Sequence, residues 1–160
     1  MALHYTTAVL VVVAYLLSES AREVRDAPPV LHFTFGLAVL LLVVPRLIAR
    51  ALGGAPPLER ANGIWLARAA RLGHGVLYLL LIAVPLTGWY AASRLGVHVS
   101  ILGLTLPPIA FAVDGEPGLI AQLHPLGGNL ILILAGLHAA MALWHQFVRH
   151  DNTLRRMSPF

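Results

Sequence analysis

Four stretches of the chain are apolar over lengths comparable with the thickness of a lipid bilayer. They cover roughly residues 3–19, 30–50, 69–92 and 119–149. A helix needs about 20 apolar residues to cross a hydrocarbon core of about 30 Å. The pattern therefore predicts an all-α membrane protein, a bundle of four transmembrane helices that forms a single domain over residues 1–160.

The first stretch is shorter than the other three. A helix from Leu3 to Ser18 would rise only about 24 Å. Either the end of this helix lies inside the membrane or the natural chain begins further upstream, and we expect the second. No small-residue cleavage pattern follows the stretch, so it is interpreted as a retained span rather than a signal peptide.

The connections between the stretches carry turn and helix-end residues. Pro28 and Pro29 are expected to open the second helix, and Pro45 to bend or end it. Residues 51–68, which are rich in glycine and proline, predict a loop. The longest connection, residues 93–118, is apolar, and we expect it to fold back as a lid with one short helix.

Composition excludes several classes of protein. Hydrophobic residues make up 58% of the chain, charged residues only 11%, and the mean hydropathy is +0.78. A soluble domain of this size could not bury so much apolar surface. The chain has no cysteine, which excludes disulfides, iron–sulfur clusters and covalently attached haem.

The positive charge follows the predicted topology. Residues 46–71 hold five arginines and one glutamate, a net +4, and residues 149–156 hold three arginines and one aspartate, a net +2. Residues 19–26 and 94–116 each have one more acidic than basic residue. Basic segments lie on the cytoplasmic side of membranes. Both termini and the middle loop are therefore predicted to be cytoplasmic. The basic pI reflects this topology and is not interpreted as a sign of a nucleic-acid partner.

Two histidines in the fourth stretch have an informative spacing. His124 and His138 lie fourteen residues apart, which corresponds to about 21 Å along a helix and almost the same helix face. This arrangement suits two haems stacked across a membrane, since a b-type haem can be held by histidine nitrogens alone. For a single histidine an interhelical hydrogen bond is an equally good interpretation. Two histidines at this spacing, with partners on other spans, favour haem.

The predicted depths of the histidines pair them. His32 and His124 lie near the outer ends of spans two and four, whereas His4 and His138 lie in the inner halves of spans one and four. Residues four apart share a helix face. The residue four positions after each of these histidines is small enough to leave room for a porphyrin: Ala8, Gly36, Gly128 and Ala142. Two haems b, one on each pair, are predicted.

His74 and His145 are followed at the same offset by Tyr78 and Arg149, which would fill that room. One interpretation is an ordinary polar contact or a headgroup neighbour. The other is a quinone site beside the inner haem, because a quinone carbonyl becomes basic on reduction and needs a group that can deliver a proton.

Three further residues carry less information. His98 and His150 are expected to be solvated loop histidines. Arg94 either marks the end of span three or provides a positive charge near the outer haem that attracts a small anion.

Several segments together resemble the bacterial cytochrome b561 family and, more distantly, the cytochrome b subunits of membrane hydrogenases and formate dehydrogenases. The resemblance covers nearly the whole chain. Its last segment is the most specific and indicates the small stand-alone proteins. The matching residues are His4-Tyr5, LHFTFG (31–36), Arg46, RLGHGVLYLLLIAVPLTG (71–88), GLTLP (103–107) and GLHAAMALWHQFVRHDNTLRRM (136–157).

The resemblance implies a protein of the bacterial inner membrane that oxidises superoxide at the periplasmic face and reduces ubiquinone. It implies that His4 and His138 ligate the inner haem b, that His32 and His124 ligate the outer one, and that His74 and His145 lie near ubiquinone. Membrane lipid, quinone and superoxide are thus the expected partners. The alternative is an electron-conduit subunit bound to a redox partner protein, a periplasmic dehydrogenase. A third possibility is a membrane structural protein without redox chemistry.

Overall fold

The computed structural model describes residues 2–18, 21–53, 63–101 and 103–150. Within these residues the chain is mostly helical, and three helices, Val30–Gly53, Gly63–Arg94 and Leu119–Phe147, are long and apolar enough to cross a membrane. The tail 151–160 and the middle of the predicted cytoplasmic loop, 54–62, lie outside the described residues. The elements are α1 (Ala2–Leu16), α2 (Ala21–Asp26), α3 (Val30–Gly53), α4 (Gly63–Arg94), β1 (Ser100–Ile101), β2 (Leu104–Thr105) and α5 (Leu119–Phe147).

The four longer helices pack as a ring. Helix α1 contacts α3 and α5, and α4 contacts α3 and α5. With 15 residues, α1 rises only about 22 Å and falls short of the hydrocarbon thickness, as its sequence indicated. The short helix α2 was not predicted, and it occupies part of the connection between the first two spans.

The prolines had different effects from one another. Helix α3 begins at Val30, directly after Pro28 and Pro29, as predicted. Pro45, in contrast, does not end it, because α3 continues to Gly53. Proline removes one backbone hydrogen bond from a helix, and in lipid the alternative to a continued helix is several unsatisfied backbone groups. The predicted loop is also shorter at its other end, because α4 begins at Gly63, six residues before the predicted start.

The predicted short helix in the long connection is wrong, since the described residues there form a two-stranded antiparallel hairpin. Ser100 pairs with Thr105, and Ile101 pairs with Leu104. Gly103 has a φ of 85°, a conformation that glycine adopts without strain. The connection does fold back on the helices, because Val99 is buried with Leu37 of α3 and Ala92 of α4. We call the end of the bundle where residues 95–118 lie the hairpin end.

The buried core is small. A central cluster of Val39, Val43, Leu81 and Ile131 joins α3, α4 and α5. Many large apolar side chains face outward instead, among them Leu79 (64% exposed) and Ile133 (60% exposed). Such apolar outer faces belong in lipid, where burying them further would gain nothing. The fold is that of a membrane protein whose interior has room for more than side chains.

Candidate functional site

The structure brings two pairs of histidines together, one at each end of the bundle. The ring centres of His32 and His124 lie 5.7 Å apart at the hairpin end. Those of His4 and His138 lie 6.2 Å apart at the opposite end. In both pairs the rings are nearly perpendicular, at 87° and 82°. These are the partners that the depth argument selected, and all four rings are half-buried.

The pair at the hairpin end is held by main-chain carbonyls. Nδ1 of His32 lies 2.7 Å from the carbonyl oxygen of Ala14, and Nδ1 of His124 lies 2.9 Å from that of Val84. The Ala14 carbonyl is available because the Ser18 N–H, at the end of α1, donates to Tyr15 instead. A carbonyl only accepts, so each Nδ1 carries its proton and each Nε2 presents a lone pair. This is the orientation that metal-binding histidines use.

Two glycines allow α4 and α5 to approach closely beside this pair. A Cβ atom added at Gly88 would lie 2.6 Å from Cε1 and 2.8 Å from Nδ1 of His124. A Cβ at Gly127 would lie 2.8 Å from Cγ2 of Val84, the residue whose carbonyl holds that histidine. Only glycine therefore lets the His124 ring lie against α4. The sequence argument missed this role of the two glycines. The available indication was a small residue in each of two apolar helices, where small residues allow close packing.

A cavity of about 430 Å³ adjoins the pair. Both histidines line it, together with Gly36 and Gly128, two of the small residues that the sequence argument selected. A Cβ at Gly36 would meet nothing within 4 Å. Tyr15 lies on the wall and donates a hydrogen bond to Oδ1 of Asn129 at 2.7 Å. The space beside His32 and His124 is thus largely apolar, with a few polar groups.

The opposite end holds a cluster of three histidines rather than an isolated pair. The ring of His74 lies 5.1 Å from that of His138, at 80°. His74 Nδ1 lies 2.6 Å from the carbonyl oxygen of Ala70 in its own helix, so its Nε2 is the nitrogen left for another partner. A site beside this pair was one of the two interpretations that the sequence left open for His74, and the ring of His74 is closer to that of His138 than the ring of His4 is.

An arginine completes this cluster. Nη2 of Arg46 donates to Nδ1 of His4 at 2.7 Å, and Nε donates to the hydroxyl of Tyr78 at 3.3 Å. The guanidinium carbon also lies 5.3 Å from the centre of the Tyr78 ring. The sequence argument used Arg46 only as a charge in the basic segment and as a matching residue. The available signal was a charged residue within an apolar span, which is costly unless it has a function.

The remaining candidate residues are spread more widely. His145 is buried, 8% exposed, and its ring contacts that of Trp144. It lies two turns of α5, about 10 Å, beyond His138. His98 and His150 are exposed, in agreement with the interpretation as loop histidines.

Arg94 stabilises the long connection. Its Nε donates to the carbonyl of Pro117 and its Nη1 to that of Phe111, both at 3.2 Å. Arg25 of α2 acts on the same segment, donating to the carbonyls of Val113 and Gly115. The two arginines hold the connection against the helix ends, so any effect of Arg94 on an anion must be separated from this structural role.

Comparison with known proteins relates the whole chain to one group. A family model described as prokaryotic cytochrome b561 matches residues 1–160. The chain is 31% identical to the probable superoxide oxidase CybB of Yersinia pestis, over 98% of this chain and 92% of the relative. It is 30% identical to cytochrome b561 homolog 1 of Escherichia coli strain K12, over 98% and 93%. It is 33% identical to cytochrome b562 of Cereibacter sphaeroides, over 97% and 89%.

Proposed function

Because this chain belongs to the prokaryotic cytochrome b561 family, we propose that it is a membrane oxidoreductase that binds two haems b, one on each histidine pair. Membership of the family itself implies haem b and electron transfer in a bacterial membrane. The number of haems rests on one observation, the separation of the paired rings. Two imidazoles that held one metal ion between them, each at about 2 Å, would have ring centres roughly 6 Å apart. The two pairs are at 5.7 and 6.2 Å.

His32 and His124 are the residues that would hold the haem at the hairpin end, each through Nε2. The carbonyls of Ala14 and Val84 fix the ring orientations, and Gly36 and Gly128 leave space beside the rings. His4 and His138 are the proposed ligands at the opposite end. A haem bound in this way supplies one-electron redox chemistry.

We assign the hairpin end to the periplasmic side, with four spans and both termini in the cytoplasm. The charge distribution supports this assignment. Residues 46–71, which connect α3 to α4 at the end of the bundle with His4 and His138, have a net charge of +4. Residues 94–116, at the hairpin end, have a net charge of −1.

The proposed reaction transfers electrons from superoxide at the hairpin end to ubiquinone at the opposite end. Two superoxide anions lose one electron each and leave as dioxygen, and one ubiquinone takes up both electrons and two protons. The name of the Yersinia relative supports superoxide as the donor. His74, with Nε2 available beside His138, and the buried His145 are the proposed residues of the quinone site.

The test combines haem content with substitutions. Pyridine haemochrome analysis of the purified chain should give two haems per chain. His32→Ala and His124→Ala should each remove the same haem, His4→Ala and His138→Ala the other, and His98→Ala neither. One haem or none in the unsubstituted chain would contradict the proposal.

A second measurement separates the oxidase from the electron-conduit alternative. The purified chain should form ubiquinol when given superoxide and ubiquinone alone. If ubiquinol appears only after a periplasmic dehydrogenase is added, the chain is a conduit subunit.

A further inference from the structure

The hydrogen bond between Arg46 and His4 distinguishes the two histidine pairs. A guanidinium has no acceptor, so Nδ1 of His4 must accept from Nη2 of Arg46, and the ring proton of His4 lies on Nε2. In the other pair the arrangement is reversed, because Nδ1 of His32 and of His124 donates to a carbonyl. Of these three rings, only that of His4 carries its proton on Nε2, so this nitrogen has no lone pair to offer a metal.

This hydrogen bond and a bond from His4 to iron exclude each other. Binding through Nε2 uses the lone pair of that nitrogen and leaves the ring proton on Nδ1, which would then face a second donor, the Arg46 guanidinium. Binding through Nδ1 would require the same space as Nη2 of Arg46, 2.7 Å away. Whichever nitrogen binds, the guanidinium has to leave His4.

A released guanidinium inside a membrane helix needs an anionic partner. Within the described part of the chain, every acidic residue lies in α2 or in the segment 95–118, at the far end of the bundle. Tyr78 offers its ring and hydroxyl but no charge. A b-type haem itself carries two propionate carboxylates, and the planar fork of arginine matches a carboxylate in a bidentate manner.

We propose that Arg46 is a haem-propionate ligand: it releases His4 and pairs with a propionate of the haem that His4 and His138 bind. The inference rests on the proposed function. It makes Arg46 a cofactor-binding residue, which holds the His4 ring in the haem-free protein and the propionate in the holoprotein. Its positive charge near the iron also favours the reduced haem.

The test uses the full-length holoprotein and the variant Arg46→Gln, with Arg50→Gln as the matched control. Arg50 lies one turn further along α3, and its guanidinium carbon is 5.9 Å from the same Tyr78 ring. Arg46→Gln should release the haem of the His4–His138 pair to an external haem acceptor about tenfold faster or more and lower its reduction potential. The other haem should keep its potential and spectrum, which also verifies folding. Arg50→Gln should change neither, and Arg46→Lys should restore part of the loss.

A second arm identifies the carboxylate. The chain is reconstituted with protohaem or with its dimethyl ester, which lacks propionate charge. The unsubstituted protein should hold the ester as weakly at this site as Arg46→Gln holds protohaem, and the variant should not distinguish the two haems. Equal retention of protohaem and ester by the unsubstituted protein, or an undiminished effect of Arg46→Gln with the ester, overturns the inference. If the chain binds no haem at His4 and His138 at all, the proposed function itself fails.

Discussion

The two ends of the bundle hold their histidines by different means. At the hairpin end the rings of His32 and His124 are oriented by main-chain carbonyls, and glycines shape the cavity beside them. At the opposite end His4 is held by the side chain of Arg46, and a third ring, that of His74, adjoins His138. Main-chain groups in packed helices have little freedom, whereas an arginine side chain can exchange partners. The histidines of the hairpin end are therefore held more rigidly than His4, whose hydrogen-bond partner is a side chain.

The largest effect should come from Gly88→Ala, which acts at the hairpin end. The new Cβ would lie 2.6 Å from the His124 ring, and packed interiors do not absorb such overlaps without displacing a side chain. We expect loss of one of two haems, measured by pyridine haemochrome analysis. Gly136→Ala is the control, because a Cβ there meets nothing within 4 Å. Two retained haems in Gly88→Ala would show that the hairpin end is as adaptable as the other.

The next effect concerns His74 and His145. We expect His74→Ala and His145→Ala to keep both haems and to slow ubiquinone reduction, by on the order of 100-fold if the residue transfers a proton. Haem spectra and quinol formation should be followed on the same samples. Loss of a haem from His74→Ala would mean that His74, rather than His4, is the partner of His138, since its ring is the nearer of the two.

A smaller effect is expected from Gly36→Ala, which adds one methyl group to the cavity wall. Alanine is favoured over glycine within a helix by about 1 kcal/mol, and the new Cβ meets no protein atom within 4 Å. Thermal stability of the haem-free chain should therefore hold or rise, while the haem at the hairpin end is released faster. Gly73→Ala, also in open space, should leave haem release unchanged. Equal release from both variants would show that the porphyrin does not lie against Gly36.

The smallest effect concerns Arg94 and anion attraction. We expect Arg94→Glu to lower the second-order rate of haem reduction by superoxide a few-fold, and the difference to shrink with salt, because charges are screened over about 8 Å at physiological ionic strength. Stopped-flow spectroscopy measures this rate.

Because Arg94 also bonds to the carbonyls of Phe111 and Pro117, Arg94→Lys serves as the control for charge. The lysine variant should keep the low-salt rate. If both variants are slowed equally and without dependence on salt, Arg94 acts only by holding the connection in position.

Local sequence was sufficient to predict the long helices and the pairing of four histidines. The apolar runs predicted α3, α4 and α5, because a membrane requires long helices whose backbone groups are satisfied internally. Pro28 and Pro29 predicted where α3 begins. Depth along each run, read from residue spacing alone, also predicted that His32 would lie beside His124 and His4 beside His138. That these pairs bind haem is still a prediction.

What depended on the rotation and crossing of helices was decided only by the tertiary structure. Spacing along one helix does not say which face meets a neighbour, so the contact of Gly88 with His124 and that of Arg46 with His4 could not be inferred. The same holds for the approach of His74 to His138. The hairpin at residues 100–105 was missed because strand pairing and packing of Val99 against Leu37 and Ala92 outweighed the expected helix. Each of these contacts joins residues far apart in the chain, and their energies depend on distances that no local pattern contains.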